Sequence, residues 1–512
     1  VRGTPYVHGD FRGGLNTKAA DYLLEDSQCR DCLNVQSTTT GAIVKRQGVS
    51  EVFDSGTALK TIYLSESTGS DIFITATDTT LQARDMAGSA VGSAVTGLAN
   101  GTWSVVEATA QDGEGPVFLM NGTDTPRSFN GSTFGTWTAD GSSTTTLPNG
   151  KYLLIHESRV LVAGTTAEPS TLYWSEVQVG VGTLPRRWMI ENQQLFDPKD
   201  GDEITGIGKA GSNVLVFKKH KVFVVYDLNT GASRRLTTNI GCIAPKSIVE
   251  TPMGTFFLSD NGVYVTNGSS VELVSDQITP TIRAIGSSPD ATADYYRNHY
   301  YLSFPQGNVI LDYDLSLKSW WKHKIASGVS DFAGRFNNGS EEMYCSAGTK
   351  VGRMFVGYQD FGSNYEWSWK GPWLAPGQAR EVYPAVRKRM RAIRIDGSGT
   401  CTLKVAKDFS TAENTVTPQN QDGTPRTDLF PASTSTTFGS TYTNFGDYYT
   451  TVNPPANYIS ATAFGDIQSP QQSRVWGQGV ARSWSLVFGD STPTSSAATI
   501  QNYTIFMQER NQ

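Results

Sequence analysis

The stretch Val214-Leu-Val-Phe217, followed by Val222-Phe-Val-Val-Tyr226, consists of two short apolar runs with a polar turn between them. Runs of that length, rich in β-branched and aromatic residues, read as the two strands of a hairpin. The pair recurs as Thr255-Phe-Phe-Leu258 and Gly262-Val-Tyr-Val-Thr266. Working outward, apolar doublets begin near Ile72, Val117, Val160, Val214, Phe256, Tyr300 and Met343, roughly 42–54 residues apart, which is the period of β-propeller blades. The repeats read as 57–85, 102–137, 151–178, 203–227, 246–275, 290–324 and 331–358. Seven repeats are counted, and the wider gap before Val214 leaves six to eight blades open. Asn-Gly steps at Asn100, Asn121, Asn130, Asn149, Asn261, Asn267 and Asn338 all fall inside this region and read as the tight turns between strands.

At 512 residues the chain exceeds one ordinary core, and a propeller over 57–360 leaves room for a second domain. Only 18% of residues are charged, Gly numbers 51, and Ser and Thr are plentiful, so the expected class is all-β. The formal net charge of −6 gives the whole molecule no electrostatic reason to seek nucleic acid or an anionic membrane. Val1-Arg-Gly-Thr-Pro-Tyr6 lacks the apolar core of a signal peptide, and no uninterrupted apolar stretch of about 18 residues occurs. The expectation is a soluble protein that is not exported by an obvious secretory signal.

Two flanking segments complete the reading. Residues 1–56 read as an extended arm with a bend at Gly13-Gly14-Leu15-Asn16 and a hairpin built from Cys32-Leu-Asn-Val35 and Gly41-Ala-Ile-Val-Lys-Arg46. Such an arm either lies on a neighbouring copy, with Gly13, Gly14, Leu15 and Asn16 as its assembly segment, or supplies a strand that the last blade lacks. Residues 361–512 read as a β-sandwich, from the alternation in Lys388-Arg-Met-Arg-Ala-Ile-Arg-Ile395 and the strands Cys401–Ala406, Arg482–Phe488 and Thr499–Phe506. A Thr/Ser/Asn/Pro-rich segment at about 411–457 interrupts it as an exposed loop or a surface ordered by a partner.

Several constellations could carry chemistry. Asp197, Asp200, Asp202 and Glu203 surround a Gly turn, an oxygen-rich loop of the kind calcium uses, against the plainer reading of a solvated connection. Cys29-Arg-Asp-Cys32 has the spacing of half a zinc site, but no second pair follows, and the five cysteines read as free thiols. Arg387, Lys388, Arg389, Arg391 and Arg394, preceded by Trp367, Trp369 and Trp373, form a basic and aromatic group that can touch nucleic acid or a partner, against the plainer reading of a solvated strand face. Tyr295-Tyr296, Tyr300-Tyr301 and Trp320-Trp321 could stack on a sugar or pack between blades. His156, His220, His299 and His323 are scattered among strands, and no pair of carboxylates or nucleophile with base is nominated, so no enzyme and no resident cofactor are expected.

Phe11-Arg-Gly-Gly-Leu-Asn16, Cys32-Leu-Asn-Val35 with Gly41–Arg46 and Gly48, Asp200-Gly-Asp-Glu-Ile-Thr-Gly206 leading into Val214–Lys218, and the strand from Arg389 to Asp396 together resemble the β-propeller tail proteins of bacteriophages. The resemblance runs over most of the chain. It implies a structural virion protein of the tail, of nozzle or hub type, in which a propeller and a β-sandwich build a homo-oligomeric ring around the DNA-exit channel. The implied partners are other tail proteins, genomic DNA that passes without sequence reading, and a host surface receptor, with no membrane. A carbohydrate-binding or glycan-hydrolysing propeller, including a receptor-binding tail tip, is the alternative from a different class.

Overall fold

The structure is a computed structural model that describes residues 5–66, 71–107, 117–139, 141–177, 187–286, 288–337, 339–374, 388–418, 429–430, 471–481, 483–490 and 493–509. The chain divides into two compact units, 47–363 and 1–46 with 364–512.

The larger unit is a seven-bladed β-propeller, with seven antiparallel four-stranded sheets in chain order. The first strand of each blade lies at the hub: Thr61–Ser65, Ser104–Glu107, Tyr152–His156, Ile204–Ala210, Val249–Thr251, Thr292–Tyr296 and Asp331–Asn337. In the seventh blade only three strands come from the end of the repeat region. The fourth, Val49–Asp54, arrives from the N-terminal region and pairs antiparallel with Lys350–Met354. Ring closure by a strand from the other end of the chain is one of the two roles expected of the arm.

The apolar doublets form because both faces of a middle strand are buried between neighbouring blades. On Val117–Met120, Val117 and Leu119 join Ile72, Ile74 and Leu81 of the first blade, whereas Phe118 and Met120 join Val160 and Val162 of the third. A strand covered on both sides reads as a continuous apolar run, as in a parallel sheet. Each such side chain contributes about 1.5–3 kcal/mol of burial.

The Asn-Gly steps at Asn121, Asn130 and Asn267 work differently from the expected two-residue hairpin turns. Asn121, Asn130 and Asn267 each accept the amide two or three residues ahead on the side-chain oxygen. Gly150 has an ordinary φ and is needed for space, since a Cβ there would lie 2.4 Å from the Ala163 carbonyl oxygen.

The smaller unit is a β-sandwich of two main sheets. One runs in the order Gln471–Ala481, Lys388–Gly399, Ala498–Glu509, Ile43–Lys45, Val35–Ser37, with Tyr6–His8 also on Ala498–Glu509. The other runs Asn414–Val416, Thr402–Lys407, Trp484–Gly489, Ser368–Lys370, Asp31–Leu33. The N-terminal region therefore supplies strands to both sheets. Phe11 is fully buried between them, edge-on to Trp369 at 5.1 Å and 6.0 Å from Tyr503.

The reading of Gly13–Asn16 as a segment for a neighbouring copy is corrected by this packing. Gly14–Leu15 pairs in parallel with Gln28–Cys29, Leu15 is fully buried, and Asn16 bonds Gln28 at 3.1 Å. A Cβ at Gly13 would lie 2.6 Å from the Ser27 hydroxyl, so the bend is a tight internal fit.

Candidate functional site at the propeller hub

The inner strand of every propeller blade has an unpaired edge, and its amides need acceptors once the ring closes over them. Side chains of adjacent blades supply them here. Thr61 of the first blade accepts the Trp103 amide at 3.0 Å at the start of the second, and Ser104 of the second accepts the Leu153 amide of the third at 2.9 Å. Asp331 of the seventh accepts the Ile62 amide of the first at 3.0 Å and the Thr292 hydroxyl of the sixth at 3.2 Å. One cation then crosses the ring. Lys246, in the short turn Pro245–Ser247 before the fifth blade, donates to Asp331 at 2.8 Å, to the Lys60 carbonyl at 3.2 Å and to the Thr61 hydroxyl at 3.3 Å.

Beneath this brace lies a cavity of about 450 Å³, lined by the first strands of all seven blades. Its charged wall residues are Lys151, Lys209, Lys246, Glu250 and Asp331. His156 also lies near Lys209, and burial, with that lysine, holds its imidazole below its ordinary pKa.

Asp294 is part-buried on the inner strand of the sixth blade, facing Gly334 of the seventh. Burial pushes its carboxyl up to about 7, with the Asp331 charge adding to the rise. A carboxyl whose folded pKa lies above its unfolded value loses stability as pH rises from about 4 to about 7. Asp294→Asn is expected to raise the stability of the propeller by roughly 1–2 kcal/mol at pH 8 and to leave it unchanged at pH 4. Thermal unfolding at the two pH values checks this; an equal gain at both would contradict it.

The four carboxylates at Asp197–Glu203, a calcium loop or a solvated connection from the sequence, meet cations of the chain itself. The point on which Asp197 and Asp200 converge is the ammonium of Lys221, at 3.1 and 2.7 Å. Asp200 also pairs with Lys218 at 2.9 Å, a lysine whose side chain has no exposed surface. Asp202 accepts the amides of Lys219 and His220, and Glu203 lies 3.7 Å from Lys151. Burial would raise the Asp200 carboxyl, but hydrogen bonds from Lys221 and Lys218 hold it well below the usual carboxylate range. Asp200→Asn is expected to cost about 2–3 kcal/mol, because Lys218 is left buried without its counter-charge. Millimolar calcium should leave the unfolding temperature of the unsubstituted protein unchanged, and a clear rise on adding calcium would contradict this assignment.

Other candidates fall into the cores. Trp367, Trp369 and Trp373 are buried in the sandwich, with Arg30 stacked 5.4 Å over Trp373, so they form no open platform for bases. Arg389 is exposed, Arg394 lies 3.4 Å from Asp396, and Arg387 lies outside the described residues, as does most of 411–457. Lys388 and Arg391 lie on the same strand, Lys388–Gly399. Tyr296, Tyr300, Tyr301, Trp320 and Trp321 are buried between strands. His220 is exposed near Asp202 and Asp260. His299 and His323 clasp the fully buried Asp312 at 2.7 and 3.1 Å. Burial alone would raise the Asp312 carboxyl, but the two imidazoles bring it down to about 2. All five cysteines are buried free thiols, and among the described residues no three His, Cys, Asp or Glu side chains are grouped to hold a metal ion.

No protein-family model and no curated protein matches this chain. Among solved structures it is similar to the WD40 repeats of RRP9, at 7% identity over 61% of this chain and 99% of that one, with a TM-score of 0.40. BBS1N in complex with ARL6DN is similar at 10% identity, over 62% and 99%, with a TM-score of 0.42. The extracellular domain of the one-component system BT4673 from B. thetaiotaomicron is similar at 9% identity, over 77% and 61%, with a TM-score of 0.42. The propeller assignment rests on the order and pairing of the seven sheets.

The hub residues Thr61, Ser104, Lys246 and Asp331 went unnoticed in the sequence. They are separated by up to 270 positions, and none belongs to a motif. The lysines that fill the carboxylate turn were within reach, since Lys218-Lys-His-Lys221 follows that turn in the same blade.

Proposed function

We propose that this chain is a structural, non-enzymatic subunit of a bacteriophage tail, of the nozzle or hub type, and that several copies close into a ring around the DNA-exit channel. The observation that carries this reading is where the residues of the tail-protein resemblance fall. Phe11, Leu15 and Cys32 are fully buried in the sandwich, and a Cβ at Gly48 would lie 2.0 Å from the Gln359 carbonyl oxygen. What the shared residues encode is an architecture in which the N-terminal region is woven into both units, and that is the property a scaffold needs.

In this reading DNA passes through the lumen formed by several copies. The hub of a single propeller is braced by Lys246 and holds only a cavity of small-molecule size. Contacts between copies come from the sandwich, where Tyr22, Leu23 and Phe409 are exposed by 49%, 58% and 40%. Phe409 stands edge-on to Tyr22 at 6.4 Å. Its ring also packs 4.9 Å from that of the buried Trp373, and its backbone has two successive residues of positive φ, Asp408 at 49° and Phe409 at 61°. Backbone of that kind costs on the order of 1 kcal/mol per residue and persists where the presented side chain has a use. Closed cyclic symmetry is the expected form of such an assembly. Other tail proteins and a host surface receptor would meet the ring at its ends.

Electron microscopy of the purified full chain at micromolar concentration tests the reading. Class averages should show rotationally symmetric rings, and a Tyr22→Ser, Phe409→Ser double variant should give single copies. Single copies of the unsubstituted chain at every concentration would sink the proposal.

A further inference from the structure

The hub cavity holds a feature that its bracing role leaves unused. Lys209 lines the wall from the inner strand of the fourth blade and is part-buried, and among the described residues no carboxylate lies within ion-pair distance of it. Lys246, on the same wall, is neutralised by Asp331 at 2.8 Å. An ammonium withdrawn from water without a counter-charge raises the free energy of the protein that carries it, and an anion brought to it lowers that free energy.

We propose that the hub cavity binds a small hydroxylated molecule carrying one oxyanion, a carboxylate or a phosphate, with Lys209 as its counter-charge. The volume of about 450 Å³ lies inside the range of small-ligand sites. Lys151, at the same wall, is engaged only by Glu203 at 3.7 Å, with both side chains about half exposed, so it can turn to the ligand as a second cation. Glu250 and the Thr102 hydroxyl, also on the wall, supply partners for the ligand's hydroxyl groups. A neutral sugar of the same size can accept a hydrogen bond from Lys209 but brings it no counter-charge, which sets the class of ligand by charge as well as by size.

Titration calorimetry of the full chain with glucuronate, glucose 6-phosphate and neutral glucose tests this at low ionic strength. Saturable binding of at least one anion is expected, with glucose at least tenfold weaker. The tighter of the two anions distinguishes carboxylate from phosphate. Lys209→Met should weaken anion binding by about tenfold or more, the loss of one charge-assisted contact. The same variant should raise the unfolding temperature of the unliganded protein, because it removes an uncompensated charge. Three results would each overturn the proposal: no saturable binding of either anion to the unsubstituted chain, unchanged binding to Lys209→Met, or a Lys209→Met protein that unfolds earlier or fails to fold.

Discussion

Asp331→Ala is expected to lower the stability of the propeller by about 3 kcal/mol, a fall of roughly 5–10 °C in its unfolding transition. The carboxylate accepts from two other blades and one bridging turn: the Ile62 amide, the Thr292 hydroxyl and the Lys246 ammonium. Its removal leaves an inner-edge amide without its acceptor and a part-buried cation without its counter-charge. Asp331→Asn keeps one acceptor oxygen and puts an NH2 donor in place of the other, so it should lose less than alanine does, and the pair of variants separates loss of charge from loss of every acceptor. Lys246→Met combined with Asp331→Ala should cost less than the sum of the single changes, since the two side chains share one contact. Calorimetry that shows a loss under about 1 kcal/mol for Asp331→Ala would contradict the role given to the hub.

Phe11→Ala is expected to cost about 3–5 kcal/mol, and to do so in the other unit. Phe11 is fully buried and touches aromatic rings from both sheets, with Trp369 at 5.1 Å and Tyr503 at 6.0 Å, besides His8 at 4.8 Å. Alanine leaves a cavity that these large rings cannot collapse into. Because the propeller and the sandwich have separate cores, two unfolding transitions should be visible, and Phe11→Ala should shift only the sandwich's. A variant that unfolds like the parent chain would show that the N-terminal region is not a core element.

Seven repeats were legible, with six to eight blades left open, because a propeller buries both faces of its middle strands, which turns Val117–Met120 or Val214–Phe217 into unbroken apolar runs. The outer strands were not. Ala90–Thr96, Trp188–Leu195 and Ala232–Thr237 are largely exposed, so nothing in their composition marks them, and the repeats read as 57–85, 151–178 and 203–227 stop short of them. The wide gap before Val214 has the same cause: the third blade ends in the polar strand Trp188–Leu195. The ring-closing strand Val49-Ser-Glu-Val-Phe-Asp54 has no unbroken apolar run and no period-two pattern, and could be placed in a blade only through its pairing with Lys350–Met354.

Site reasoning met a different limit. Sequence shows which carboxylates are near one another but not which cations fold back onto them: Asp197 and Asp200 were weighed as calcium ligands against a solvated turn, and they face Lys218, Lys221 and Arg235. The hub was invisible for the same reason, because Asp331 gains its meaning from Ile62 and Lys246.

The central claim is that this chain serves by its place in an assembly. A cryo-electron-microscopy reconstruction of the particle that contains it tests that claim most directly. The account predicts several symmetry-related copies of a seven-bladed propeller with its β-sandwich, arranged as a ring at the far end of the tail tube with the DNA path through the shared lumen. Density for the chain beside the portal, or as single copies that form no ring, would contradict the account.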